Sequence, residues 1–134
     1  MSYRHLQGLA RTERITVDKA RTIEFLGDRL RVYSTPSMID DVEHVAQRLL
    51  QGHLEDGQSS VGVYVELEHL AATPLGWDVD ITVVVREVEK NRVTVDADVK
   101  DAVEWVGQGR HARFIIDVDR YARRVRRKLV EAGA

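Results

Sequence analysis

From Ser60 to Asp117 the chain is a succession of alternating apolar and polar residues interrupted only by short turns. That alternation has the period of a strand with one covered face. Strands linked this closely pair antiparallel, because a parallel partner needs a crossover of about a dozen residues or more. Ser60–Leu70 points Val61, Val63, Val65 and Leu67 one way, and Trp77–Glu89 does the same with Val79, Ile81, Val83 and Val85. Val93–Val99 aligns Val93, Val95, Ala97 and Val99, and Trp105–Asp117 returns as the last strand. Between them, Thr73-Pro74-Leu75-Gly76 has the proline and glycine placement of a type I turn. Glu89–Arg92 and Asp101–Glu104 are tight connections.

Such a sheet needs a cover for its apolar face. Ser34 or Thr35 offers a capping oxygen, Pro36 suits a first helical turn, and Asp40 and Asp41 lie where the helix dipole favours anions. Ile39, Val42, Ala46, Leu49 and Leu50 recur at helical spacing and predict a helix over 36–53, with Asp40, Asp41, His44, Gln47 and Arg48 facing solvent. Thr12–Asp18 alternates as a first strand, and Lys19–Tyr33 follows neither period, which predicts a short helix and an extended stretch. A basic helix, Asp119–Glu131, closes the chain. The expected fold is α+β: a strand, a long helix and a four-stranded antiparallel meander, in one domain over 1–134.

Size and composition agree with this. A chain of 134 residues hides about 68–70% of its unfolded surface, enough for one core. With 43% apolar and 31% charged residues it reads as a globular domain, and 2 prolines and 9 glycines leave no linker to a second one. The absence of cysteine excludes disulfides, thiolate nucleophiles and iron–sulfur clusters, and fits a cytoplasmic location. No apolar run nears the ~18 residues of a membrane span, and the first residues lack the apolar stretch of a signal peptide. Twenty Lys+Arg against 22 Asp+Glu argue against nucleic-acid binding by bulk charge.

Two polar residues break the patterns where that is expensive. Glu43 falls roughly 40° from Ile39 around the predicted helix, inside its apolar stripe, where a carboxylate must be paired or open to a cleft. His69 continues the series Val61, Val63, Val65, Leu67 and so points at the covered face. Each has an ordinary structural reading, as an edge carboxylate and a core histidine. Together they place an acid and an imidazole at one helix–sheet interface, the raw material of general acid–base chemistry. Thr35, at the helix start, is a third candidate beside free backbone N–H groups.

The run His69-Leu70-Ala71-Ala72-Thr73-Pro74-Leu75-Gly76 resembles the hot dog-fold acyl-CoA thioesterases related to fluoroacetyl-CoA thioesterase, a similarity extending over roughly Thr12 to Lys128. The resemblance implies a long central helix wrapped by a curved antiparallel sheet. It implies a catalytic triad of Thr35, Glu43 and His69, with Glu43 as nucleophile or as base toward water. Gly62 falls where the family's strand glycine offers its amide to the thioester carbonyl, and Arg113 where it has a last-strand arginine. The implied activity is hydrolysis of a small or medium acyl-CoA without cofactor, coenzyme A being part of the substrate. The implied assembly is at least a homodimer with interface active sites, in which Thr35 and Glu43 face His69 of the partner chain. Lys19–Tyr33 departs from the family's substrate-covering segment, so fluoroacetyl specificity does not carry over.

Two alternatives stay open: a non-catalytic acyl-CoA-binding domain, and a regulatory nucleic-acid-binding role for the basic helix of Arg120, Arg123, Arg124, Arg126, Arg127 and Lys128. That helix also reads as a solvated face or as a partner for the phosphates of coenzyme A. His5, His44, His53 and His111 show no ligand spacing, so no metal is expected. Gly107-Gln108-Gly109 lacks the context of a dinucleotide fingerprint and predicts a bulge or close approach in the last strand.

Overall fold

A computed structural model describes residues 2–133. Strand β1 (Ala10–Thr16) leads through an irregular segment into helix α1 (Thr35–Gln51). Strands β2 (Gln58–His69), β3 (Asp78–Glu89), β4 (Arg92–Lys100) and β5 (Trp105–Asp117) follow, then helix α2 (Val118–Glu131). The strands form one antiparallel sheet in the order β1-β3-β4-β5-β2, with α1 across one face. This is the expected α+β class, but the four-stranded meander is corrected. Only β3, β4 and β5 follow one another in space, and β2 lies beside β5 as an edge strand. Alternation specifies which face of a strand is covered and is silent about its neighbour.

The covered face carries Val79, Ile81, Val83 and Val85 of β3 and Val93, Val95, Ala97 and Val99 of β4, all buried as their alternation requires. Against them α1 packs Met38, Val42, Val45, Ala46, Leu49 and Leu50. Full burial of such a side chain contributes about 1.5–3 kcal/mol. Ser34, not Thr35, caps the helix, its hydroxyl accepting from the Ser37 amide at 3.1 Å. Gln51 ends it, two residues before the expected His53, with Gly52 as C-cap.

β2 departs from strict alternation. Its register on β5 slips between Gly62, opposite Arg113, and Tyr64, opposite Ala112, leaving Val63 as an extra residue. The bulge reverses the phase: Ser60 and Gly62 face inward before it, and Val65, Leu67 and His69 after it, matching the inward His111, Arg113 and Ile115 of β5. A one-residue slip exchanges the faces of everything beyond it. The expected single face of Val61, Val63, Val65 and Leu67 is thus corrected. Val61, opposite the exposed Phe114, and the bulged Val63 do not share the inward face of Val65 and Leu67, while His69 keeps the inward orientation expected of it.

Two glycines of β5 mark the predicted close approach. A side chain at Gly109 would overlap the backbone carbonyl of Glu66, and one at Gly107 would meet Met38 Sδ at 2.5 Å. The 73–76 turn is also corrected. Trp77 N donates to Pro74 O, and Gly76 at the third position has φ +88°, which a type II turn demands and a type I turn does not.

The segment 19–33 resolves into two short 3-10 turns and an isolated bridge between Thr22 and Tyr33. It is tied to α1 through Asp41. Expected at the surface, that carboxylate is buried, accepting from the Tyr33 hydroxyl at 2.6 Å and from Arg21 Nε at 2.9 Å. Both partners lie in the segment with no readable period, so no spacing on the helix announces them. Among the described residues, no helix is long and apolar enough to cross a membrane.

Candidate active site

The predicted site residues fall into two groups. At the start of α1, Thr35 Oγ1 lies 2.8 Å from Nδ1 of His69 at the end of β2. Because Ser34 takes the capping role, the Thr35 hydroxyl is free for the imidazole. Tyr33 packs edge-on against the His69 ring, with centroids 6.3 Å apart, so the Asp41 network also braces this histidine. Burial pulls the His69 pKa below the ordinary value and favours the neutral ring. Its Nε2 is buried and makes no hydrogen bond among the described residues, an arrangement a substrate or second chain would relieve.

Two turns along α1, Glu43 meets a different set. A methyl group at Gly62 would stand 3.2 Å from His111 Cε1, 3.5 Å from Arg113 Nη1 and 3.8 Å from Glu43 Oε1, so these three side chains surround that glycine. Glu43 and Arg113 line a cleft of about 290 Å³ with His44 and Gln47. Arg113 is buried, donating from Nε to Ser60 Oγ and from Nη2 to Ser60 O, both at 2.8 Å. His111 is fully buried, with Nδ1 2.8 Å from Tyr64 O and Nε2 3.1 Å from Arg113 Nη1. A carbonyl can only accept and a guanidinium only donate, so the ring is neutral with its proton on Nδ1. Burial lowers the His111 pKa in the same sense, and the Arg113 charge adds to it.

Within one chain the acid and the predicted imidazole therefore do not meet. Thr35 and Glu43 stand eight positions apart along the helix, a rise of roughly 12 Å. The imidazole beside Glu43 is His111, which sequence reasoning passed over for want of ligand spacing. Its inward position opposite Val65 was the available signal. The expectation that Thr35 faces His69 of a partner chain is also corrected, since Thr35 bonds His69 of its own chain. Among the described residues no cluster of three or more His, Asp or Glu side chains could hold a metal ion.

A five-stranded antiparallel sheet around a central helix, with polar groups gathered along the helix–sheet seam, defines a hot dog-type protein. Solved structures agree. A hot-dog-like protein from Thermanaerovibrio acidaminovorans superposes with a TM-score of 0.88 at 30% identity, covering 96% of this chain and 97% of that one. The fluoroacetyl-CoA thioesterase FlK matches with a TM-score of 0.82 at 29% identity, over 91% of this chain and 96% of its own. By sequence, a fluoroacetyl-CoA thioesterase from Streptantibioticus cattleyicolor is 33% identical over 97 residues, 72% of this chain and 70% of that one. Residues 17–119 match the fluoroacetyl-CoA-specific thioesterase family, and the chain belongs to that family of thioester hydrolases.

Proposed function

We propose that this protein hydrolyses a small or medium acyl-CoA thioester to the free acid and coenzyme A, with Thr35, Glu43 and His69 as its catalytic residues and Gly62 and Arg113 in the substrate cleft. The observation that carries this reading is the pairing of Thr35 with His69 in a member of a thioesterase family.

A homodimer completes the site. β2 is an edge strand with an unpaired ladder. Two such edges pairing antiparallel bring the His69 end of one strand toward the Gly62 end of the other, so Glu43 of one protomer faces the Thr35–His69 pair of its partner. In the hydrolytic step Glu43 takes a proton from water, whose oxygen attacks the thioester carbon, and backbone N–H at Gly62 and the Arg113 cation steady the oxyanion. The carbon–sulfur bond then breaks, the departing thiolate takes a proton from the imidazole, and the proton that Glu43 took from water restores the neutral ring and frees the carboxylate. In the covalent variant the Glu43 carboxylate itself attacks the thioester carbon, the carbon–sulfur bond breaks to release coenzyme A, and water hydrolyses the resulting anhydride.

Release of free thiol from a panel of acyl-CoA substrates tests the reading. Glu43→Gln is expected to lower turnover by about two to four powers of ten with the fold retained. Undiminished turnover removes Glu43 from the mechanism. Single turnover in ¹⁸O-water tests the covalent route, because label enters the protein only when water attacks the Glu43 carbonyl of an anhydride.

A further inference from the structure

Helix α2 lies almost wholly beyond the family match, which ends at residue 119. It buries none of its residues. Its six cations, Arg120, Arg123, Arg124, Arg126, Arg127 and Lys128, stand against two acids. The whole chain has 20 basic and 22 acidic residues, so the rest holds 14 against 20 and is acidic. Seven of the described arginines outside α2 form ion pairs, among them Arg14 with Asp80 and Arg48 with Glu13. Among the described residues none of the six α2 cations forms an ion pair. An unneutralised cationic helix on an acidic body is a receptor for an anion.

The first turns of α2 also form one wall of a cleft of about 220 Å³, with Arg120, Tyr121 and Arg124 facing Asn91 and Ile115. Asp117, the acid that lines it, has a carboxylate oxygen engaged by the Arg120 amide at 2.9 Å. Ile115 is two residues beyond Arg113 on the same inward face of β5, which sets the nearest lining residues of the two clefts about 7 Å apart along the strand. Coenzyme A has matching polarity: a neutral pantetheine arm separates the thioester from an adenosine bearing phosphates. With the thioester at Gly62 and Glu43, the strand leads its charged end toward α2.

Resting on the thioesterase reading above, we propose that the cleft between α2 and the end of β5 binds the phosphorylated adenosine end of the coenzyme A thioester. Arg120 and Arg124 pair with its phosphates, and Tyr121 offers a ring face to the base. Guanidinium groups suit this task because their planar donors meet phosphate oxygens two at a time.

Calorimetric titration with coenzyme A and with pantetheine tests the assignment on wild type, on Arg120→Ala/Arg124→Ala, and on Arg126→Ala/Arg127→Ala, which removes equal charge outside the cleft. The cleft variant is expected to bind coenzyme A roughly ten- to a hundredfold more weakly, from the loss of charge-assisted bonds. Its pantetheine affinity should stay at the wild-type value, and the control variant should change less than threefold. On the same preparations, KM for an acyl-CoA should rise with kcat held, while the N-acetylcysteamine thioester of the same acid is unaffected. Equal weakening in both variants means a diffuse field and overturns the proposal, as does unchanged affinity in the cleft variant or no coenzyme A binding by wild type. Binding that depends on Arg120 and Arg124 without hydrolysis of any thioester would sustain this assignment and end the thioesterase reading. Hydrolysis with coenzyme A affinity indifferent to both arginines would do the reverse.

Discussion

Replacing Asp41 with asparagine tests whether the buried network behind His69 holds the fold together. The carboxylate accepts from Arg21 Nε at 2.9 Å, Arg21 Nη2 at 3.1 Å and the Tyr33 hydroxyl at 2.6 Å. An amide of the same shape keeps one acceptor oxygen, loses the charge and turns an NH2 group toward two donors. Losing two charge-assisted bonds at about 1.5 kcal/mol each gives about 3 kcal/mol. This is the low end for a broken buried pair, because the Arg21 side chain keeps 33% of its surface in water and can rehydrate. For a chain of 134 residues the usual unfolding entropy converts that to a melting temperature lowered by roughly 10 °C. Tyr33→Phe removes one hydroxyl and leaves Asp41 bonded to Arg21, so it should cost about 1 kcal/mol. The double variant should cost less than the sum, since one bond is counted twice. Thermal and urea unfolding followed by circular dichroism provide all three values. An Asp41→Asn cost below about 1 kcal/mol, or strict additivity with Tyr33→Phe, refutes the reasoning.

Other substitutions separate site from scaffold. Thr35→Val should lower kcat about tenfold with little change in stability, whereas Ser34→Ala should destabilise by about 1 kcal/mol, since Ser34 caps α1 and Thr35 touches His69; a Thr35→Val enzyme of full activity would contradict this. Gly109→Ala should cost at least about 2 kcal/mol by urea titration, because its methyl meets the Glu66 backbone, while Gly107→Ala should cost less, its nearest neighbour being the pliable end of Met38. Burial lowers the pKa values of His69 and His111, so the unfolded chain binds more protons than the folded one just below the ordinary histidine value. Stability should therefore rise with pH through that window and be lost as pH falls from about 6.5 toward the lowered folded values. Proton NMR titration midpoints above about 6.5 for both rings would reverse the sign.

The inward faces of β3 and β4, the extent of β5 and the amphipathic α1 were legible from periodicity, because burial of one face imposes a repeat on the chain. So was the oddity of Glu43 and His69, since a polar residue within an apolar repeat is conspicuous. Thr35 was legible as a helix start, though not its release from capping by Ser34, because two adjacent hydroxyls satisfy the same rule. The Asp41 network was not legible, since its partners lie in an aperiodic segment and a carboxylate near a helix start looks solvated until something covers it.

The one-dimensional pattern thus determined that an antiparallel sheet and a long helix would share one apolar seam, with an acid and an imidazole beside it. The tertiary structure alone decided that β2 lies at the edge, that a bulge at Val63 carries the phase of that strand, and that Glu43 meets Gly62, His111 and Arg113 while His69 meets Thr35. The reason is physical: periodicity records how each segment faces solvent, a local property. The neighbour a strand takes and the side chains that meet across a seam depend on how all the segments pack at once.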